Sequence, residues 1–189
     1  TNEAVALIRQ NRDNPFFLYF SHYAVHSPLQ AKQSMIARYE AIPDKERQGQ
    51  PAYAAMVESV DQSVGRVMET LSELGLENNT MVIFTSDNGG LWKATDHAPL
   101  RANKGSHYEG GIRVPMIVKW INAPVQKRNI QLISFVDFAP TVLEAAKVKS
   151  DINFQEVSFF NKDQRSYVYA ATDRFDGQED RRRSIRGRN

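Results

Sequence analysis

The chain has 189 residues, of which 41% are apolar and 24% charged, and its formal net charge is +2. These values are ordinary for one globular domain with a buried core. The net charge says little about partners. We expect no nucleic-acid partner. No run of about 18 apolar residues is present, so we expect no membrane-spanning segment and no membrane partner. The absence of cysteine excludes disulfides and thiol chemistry within this sequence.

The first half of the sequence predicts mainly helices. Apolar residues at helical spacing predict a helix over residues 2–10, and a second, short helix is predicted at 33–39. Between them, the aromatic run at 16–20 predicts a strand. The clearest periodicity predicts a long helix over 53–74, which Gly75 ends as the residue after the C-cap.

The second half alternates strands with a helix and contains one long loop. The predicted elements are a buried strand at 81–84, a loop over 87–112, a strand at 114–118, a helix over 137–146 with Asp137 as its N-cap, and an edge strand at 167–170. Loops of this length in a compact domain are usually functional or disordered. Alternating strands and helices predict an α/β layered fold with a largely parallel sheet.

The predicted strand at 81–84 runs into an acid–amide–glycine turn. Asp87 and Asn88 offer side-chain oxygens of the kind that Ca²⁺ or Mg²⁺ prefers, and Gly89 and Gly90 let the backbone turn. Open α/β sheets place their ligands at the carboxyl ends of strands. The pattern therefore makes Asp87 and Asn88 candidate metal ligands, with an Asx turn as the simpler alternative.

Two basic side chains are candidates for contacting an oxyanion. Lys104, followed by a glycine, presents a point charge. His26, in the loop after the aromatic run, is able to donate to an oxyanion and to protonate a leaving alcohol. Taken alone, a surface lysine and a loop histidine that caps the backbone are the simpler interpretations. His22, in the same loop, is interpreted as structural.

Three short motifs occur in a fixed order: His-x-Pro at 26–28, Ser-Asp-Asn-Gly at 86–89, and Lys-Gly-x-x-Tyr-Glu-Gly-Gly-x-Arg-Val-Pro at 104–115. Together with the aromatic run they resemble the arylsulfatase family, which belongs to the alkaline-phosphatase-like superfamily. The resemblance extends over about residues 15–144 and weakly on to Arg186.

The resemblance implies an alkaline-phosphatase-like α/β/α sandwich with a largely parallel sheet. Residues 1–189 would form part of its catalytic domain, with about 1–150 as the core sheet and helices and about 151–189 as the start of the C-terminal part. The family's Cys/Ser-x-Pro-x-Arg motif, which matures to formylglycine, is not found here, nor is its first pair of metal-binding aspartates. We therefore expect an internal piece of a longer enzyme that is inactive alone.

The resemblance also implies site roles. His26 and Lys104 correspond to sulfate-contacting catalytic residues, and Asp87 and Asn88 to ligands of a divalent cation, Ca²⁺ or alternatively Mg²⁺. The nucleophile, a formylglycine, is expected in the segment that precedes this sequence.

Other residues are candidates for substrate recognition, because the loop that carries them borders the family's substrate pocket. The candidates for substrate binding are His97, Arg101 and His107. Trp92 either stacks on a sugar or aromatic substrate or covers the loop. The pair Asp173–Arg174 is a further candidate near the pocket. Glu109 is interpreted as structural, in a pair with Arg113.

The expected substrate is a sulfated small molecule or glycan, and the resemblance implies a periplasmic, secreted or lysosome-like location. The sequence leaves the oligomeric state and the individual substrate open. Two other functions also remain open. One is a phosphatase, phosphodiesterase or phosphonate hydrolase of the same superfamily. The other is a non-catalytic anion-binding or structural domain.

Overall fold

The computed structural model describes residues 1–121, 131–154, 158–161, 165–175 and 178–187. The helices in these ranges are α1 (Asn2–Gln10), α2 (Gln33–Glu40), α3 (Pro51–Glu73), α4 (Glu109–Ile112) and α5 (Phe138–Ala145). The strands are β1 (Val82–Thr85), β2 (Met116–Lys119), β3 (Tyr167–Phe175) and β4 (Gln178–Gly187). The predicted helices are confirmed to within a few residues, as are the strands predicted at 81–84, 114–118 and 167–170, although β3 extends beyond its predicted end.

The helix α3 organises the helical part of the fold. Its buried residues include Met56 and Leu71, and both α1 and α2 pack against it. Ile8 of α1 and Met35 of α2 are buried in this contact region. Burying such side chains stabilises the fold by about 1.5–3 kcal/mol each. No helix in the described ranges is long and apolar enough to cross a membrane.

The end of α3 follows the sequence prediction closely. Gly75 has a φ of +69°, which a residue with a side chain rarely adopts. Its N–H donates to the carbonyl of Ser72 at 3.0 Å, and the N–H of Leu76 donates to the carbonyl of Leu71 at 2.8 Å. These two hydrogen bonds form a complete Schellman motif, so the last carbonyls of the helix are satisfied and the chain turns toward β1.

The strands β1 and β2 form an antiparallel pair, in which Val82 lies opposite Lys119 and Thr85 opposite Met116. Antiparallel pairing brings the end of β1 next to the start of β2. The hydroxyl of Thr85 donates to the carbonyl of Pro115 at 3.0 Å, which joins the two ends of the loop between the strands. The loop over 86–115 therefore leaves and returns at one edge of the strand pair.

The strand pairs in the described ranges are not parallel, although the sequence predicts a parallel arrangement for most of the sheet. Strand pairing in the described ranges is antiparallel, between β1 and β2 and between β3 and β4. The largely parallel sheet thus stays a prediction for the longer protein. Residues 16–20 form no ladder with a described strand, although their exposure alternates and Phe17 and Tyr19 are 72% and 83% exposed. Period-2 alternation predicts which side chains share a face, but a strand also needs a partner.

Asp137 is buried at the start of α5, where the sequence predicts an N-cap. Its side chain makes no capping hydrogen bond to α5. Instead, one carboxylate oxygen accepts the N–H of Ser134 at 2.8 Å, and the other pairs with the guanidinium of Arg165. The hydroxyl of Thr141 donates to the Asp137 carbonyl at 2.6 Å. A buried carboxylate is stable here because both of its oxygens are hydrogen-bonded.

We expect Asp137→Ala to lower the free energy of unfolding by about 3 kcal/mol, because it leaves partners of a buried ion pair unsatisfied. Urea unfolding of the full-length protein measures this. Glu144→Ala is the matched control, since Glu144 is exposed on the same helix. Equal free energies of unfolding for the two variants would contradict the expectation.

Candidate functional site

The end of β1 places Asp87 and Asn88 in a tight turn. The Ser86 hydroxyl donates to the Asn88 carbonyl at 3.0 Å, and this local hydrogen bond stabilises the turn. Asp87 is exposed and Asn88 half-buried. Neither side chain has a hydrogen bond or ion pair to another described residue, so their oxygens are available to a ligand.

Glycines bring this turn against the far end of the loop. The N–H of Gly89 donates to the carbonyl of Gly111 at 2.9 Å, and a Cβ added to Gly89 would overlap the carbonyl of Gly110. A Cβ on Gly110 would overlap the carbonyl of Ala102, and one on Gly111 that of Ser106. The two backbones therefore approach more closely than residues with side chains allow.

Lys104 is held next to the same turn. Its N–H donates to the carbonyl of Gly90 at 3.0 Å, and the N–H of Gly110 donates to the carbonyl of Arg101 at 2.8 Å. The side chain of Lys104 is exposed and forms no ion pair with a described residue. The structure thus brings together three of the predicted site residues, Asp87, Asn88 and Lys104, on one closed loop.

His26 belongs to a separate loop. Its Nδ1 lies 2.8 Å from the carbonyl oxygen of Ser27, which only accepts, so Nδ1 carries the proton and Nε2 remains for other partners. The backbone N–H of His26 donates to the carbonyl of Tyr23 at 2.9 Å. No hydrogen bond or ion pair between described residues connects His26 with residues 86–115. The participation of His26 in the site stays a prediction.

His22 anchors the His26 loop to α3. Its Nε2 lies 2.9 Å from the hydroxyl of Ser63, a buried residue of that helix. Burial lowers the pKa of His22. A histidine held neutral against a helix fits the structural interpretation of this residue.

The three candidates for substrate binding have different surroundings. His97 lies against the turn that carries Asp87 and Asn88, since a Cβ on Gly90 would be 2.8 Å from its Nε2. That nitrogen and the Nδ1 of His107 are buried and have no hydrogen-bond partner among the described residues. The guanidinium of Arg101 lies 3.7 Å from the centre of the Tyr108 ring, a cation–π contact.

Glu109 forms two ion pairs, at 2.8 Å with Arg113 and at 2.5 Å with Arg186. Hydrogen bonding from Arg113 lowers the pKa of Glu109, burial opposes this, and hydrogen bonding from Arg186 lowers it further. The carboxylate therefore stays charged and fixes the loop. The pair with Arg113 was predicted from the sequence. Arg186 was missed, because no local signal shows which distant strand residue reaches this carboxylate.

An open cleft of ≈ 810 Å³ lies beside the turn, between residues 44–51 and 92–103. Its wall is held by backbone hydrogen bonds at 2.9 Å from Gln50 to Ala94 and from Asp96 to Gln48. His97 lines the cleft, whereas Asp87, Asn88 and Lys104 do not. No local pattern indicates this cleft, because its two walls are far apart along the chain.

The sulfatase family model matches residues 1–148. The chain belongs to the sulfatase family. This confirms the family that the three motifs indicated.

Named relatives agree with the assignment. A sulfatase of Formosa agariphila is 41% identical over 152 residues, covering 75% of this chain and 28% of the relative. Arylsulfatase J of Mus musculus is 36% identical over 146 residues, covering 75% of this chain and 23% of the relative. This sulfatase chain thus spans about a quarter of the length of these curated relatives.

A solved structure of Ps i-CgsB in complex with k-i-k-neocarrahexaose matches with a TM-score of 0.79 and 36% identity, over 92% of this chain and 41% of that one. The match confirms the alkaline-phosphatase-like sulfatase fold at the level of mixed helices and strands. The roles of the individual site residues and the division near residue 150 stay predictions. The side chains of Asp173 and Arg174 lie outside the described part of the chain.

We expect Gly110→Ala to lower the free energy of unfolding by about 1–3 kcal/mol, because the added Cβ overlaps the backbone of Ala102. Gly65→Ala is the matched control. Gly65 lies in α3, and no described atom beyond its own stretch of helix lies within 4 Å of an added Cβ, so the change is expected to stabilise the helix by about 0.5–1 kcal/mol. Chemical unfolding of both variants in the full-length protein measures the two changes in the free energy of unfolding. Changes of the same sign in the two variants would contradict the close contact between Gly110 and the Ala102 backbone.

A pH-dependent contribution of Glu109 to stability follows from its lowered pKa. Since the folded pKa lies below the ordinary value of 4.5, the stabilisation is complete above that pH and is lost as the pH falls toward the folded value. We expect the stability difference between wild type and Glu109→Gln to be constant at neutral pH and to shrink below about pH 4.5. Unfolding curves across this range test it, with Glu40→Gln, a change at an exposed glutamate of α2, as the control.

Proposed function

We propose that the longer protein hydrolyses sulfate esters and that this segment supplies part of its metal site and its sulfate-binding cations. The observation that carries the proposal is the loop that holds Asp87, Asn88 and Lys104 together while leaving their side chains without described partners. Family membership and the names of the relatives support the same reaction.

Asp87 and Asn88 fit a site for Ca²⁺ or Mg²⁺ as two of its ligands. Both side chains are hard-oxygen donors at the end of a strand. The described residues contain no group of three acidic or histidine side chains suited to a metal, so the other ligands of a Ca²⁺ ion, which takes about 6–8, would come from the longer protein and the substrate. When bound, such a cation polarises the oxygens of the sulfate group.

Lys104 and His26 would act on the transferred group itself. The ammonium of Lys104 offsets negative charge that builds on the sulfate oxygens. His26, whose Nδ1 is occupied by the Ser27 carbonyl, is suited to donate a proton from Nε2 to the leaving oxygen. A formylglycine outside this chain is the nucleophile that we propose for the complete enzyme.

The substrate proposal is a sulfated glycan or small sulfate ester. One relative is named an arylsulfatase, and the matching solved structure contains an oligosaccharide. Within this chain His97, Arg101 and His107 are the proposed recognition residues, because they share a loop with Lys104. The family match favours sulfate over phosphate esters. A periplasmic, secreted or lysosome-like location is part of the same proposal.

We expect Lys104→Ala and His26→Ala in the full-length enzyme each to lower the turnover of an aryl sulfate by about 10²–10³-fold, because each removes a donor aimed at developing charge. Steady-state kinetics measures this, with Lys149→Ala as an exposed lysine control. Near-wild-type rates for both variants would overturn the assignment. A higher rate with the matching aryl phosphate than with the sulfate would favour a phosphatase.

We expect Asp87→Ala to weaken Ca²⁺ binding by the full-length enzyme, because it removes a charged ligand. Calorimetric titration of wild type and variant measures the affinity. The control is Asp61→Ala, since Asp61 is exposed on α3. Unchanged affinity in Asp87→Ala would remove that residue from the site.

A further inference from the structure

We propose that the cleft between residues 44–51 and 92–103 binds the sugar unit next to the sulfated one. In this assignment Trp92 is the stacking platform and Lys93 pairs with an anionic substituent on that neighbouring sugar. The inference rests on the proposed function for its substrate class, and it narrows that class to sulfated oligosaccharides.

The position of the cleft connects it with the candidate site. Asn103, which lines the cleft, directly precedes Lys104. His97, which also lines it, packs against Gly90, and Gly90 accepts the hydrogen bond from the Lys104 N–H. The cleft therefore adjoins the loop that carries Lys104, and His97 and Asn103 belong to both. Two adjoining binding positions would suit two linked sugars.

The size of the cleft exceeds what one sulfate group requires. Its volume of ≈ 810 Å³ lies within the range of about 300–1,000 Å³ that is usual for small-molecule sites. The wall is held by backbone hydrogen bonds between residues 48–50 and 94–96 and by a hydrogen bond from the Gln50 side chain to the Lys93 carbonyl. A wall of this kind is formed before the ligand arrives, which reduces the entropy lost on binding.

The side chains at the cleft have the chemistry of a saccharide site. Trp92 is 63% exposed, and an indole offers a flat apolar surface to the C–H face of a sugar. Amide side chains such as Asn103 are donors and acceptors for hydroxyl groups. The lining is therefore both aromatic and polar, as a ring with hydroxyl substituents requires.

The charges of the cleft single out Lys93. Arg47 is paired with Asp44, and the carboxylate of Asp96 accepts the N–H of Ala98 at 3.0 Å. Lys93 has no ion pair with a described residue, and its Nζ lies over one face of the Trp92 ring, 5.6 Å from the ring centre, in a cation–π contact. A sugar that stacks on the indole thus brings its substituents close to an ammonium group that has no counter-ion in the described structure.

The test compares substrates of different length in the full-length enzyme. One probe is 4-nitrophenyl sulfate. The others are hexasaccharides with a galactan or a glucosamine backbone. Each backbone is used in two forms, one with a single sulfate and one with a second sulfate on the adjacent sugar. We expect Trp92→Ala to lower kcat/KM for the hexasaccharides about tenfold, with Trp92→Phe restoring most of it. Lys93→Ala should lose about tenfold only with the doubly sulfated hexasaccharides. Lys45→Ala, an exposed lysine nearby, is the control.

The losses caused by Trp92→Ala and Lys93→Ala should be smaller with 4-nitrophenyl sulfate, which has no neighbouring sugar, than with the hexasaccharides. Equal losses on the aryl and oligosaccharide substrates, or no loss on either, would overturn the subsite. If no sulfate ester is hydrolysed at all, the proposed function fails. Calorimetric titration with the same hexasaccharides then tests, independently of activity, whether the cleft binds a sugar. About tenfold weaker binding by Trp92→Ala supports it, whereas equal affinity or no binding by the wild type overturns it.

Discussion

The close contact between two backbones at Gly89, Gly110 and Gly111 is the constraint on which the candidate site depends. Because side chains are missing at these positions, the turn after β1 and the segment before β2 lie directly against each other. Without this contact, the turn that carries Asp87 and Asn88 and the segment that carries Lys104 would be separate parts of a long loop. The antiparallel pairing of β1 with β2 supports the contact, since it returns the chain to the edge from which it left. Local geometry and strand pairing thus produce one site.

A second group of contacts fixes this loop to the rest of the chain. Glu109 pairs with Arg113 in its own helical turn and with Arg186 in β4, so a late strand is tied to the site by charge. Partly exposed pairs of this kind contribute little energy singly, but a carboxylate shared by two guanidinium groups also restricts orientation. On the other side, His22 bonds to Ser63 and holds the His26 loop on α3. Rigid elements therefore position both loops that carry candidate residues.

Much of the helical structure was readable from the sequence, because helix periodicity and caps are local. The long helix and its end at Gly75 are the clearest example, since both the apolar spacing and the glycine lie within a few residues of the feature. The motifs also identified the family. Strand pairing was less readable, because residues 16–20 have the alternation of a strand but no described partner. The ion pair between Arg186 and Glu109 and the cleft were also not predicted from the sequence. Each depends on contacts between segments far apart in the sequence, which a single chain without aligned relatives does not reveal.

The bridge between Gly49 and Thr95 joins the walls of the cleft through main-chain atoms, and Gly49 fits there because a Cβ would overlap the carbonyl of Ala94. Main-chain bonds are indifferent to the identity of neighbouring side chains. Residues 44–48 and 91–93 are therefore free to change their chemistry while the frame that carries them persists. In evolution or in the laboratory, the side chains of these two short segments can therefore be exchanged with little effect on the main-chain frame or on the glycine-closed loop next to it.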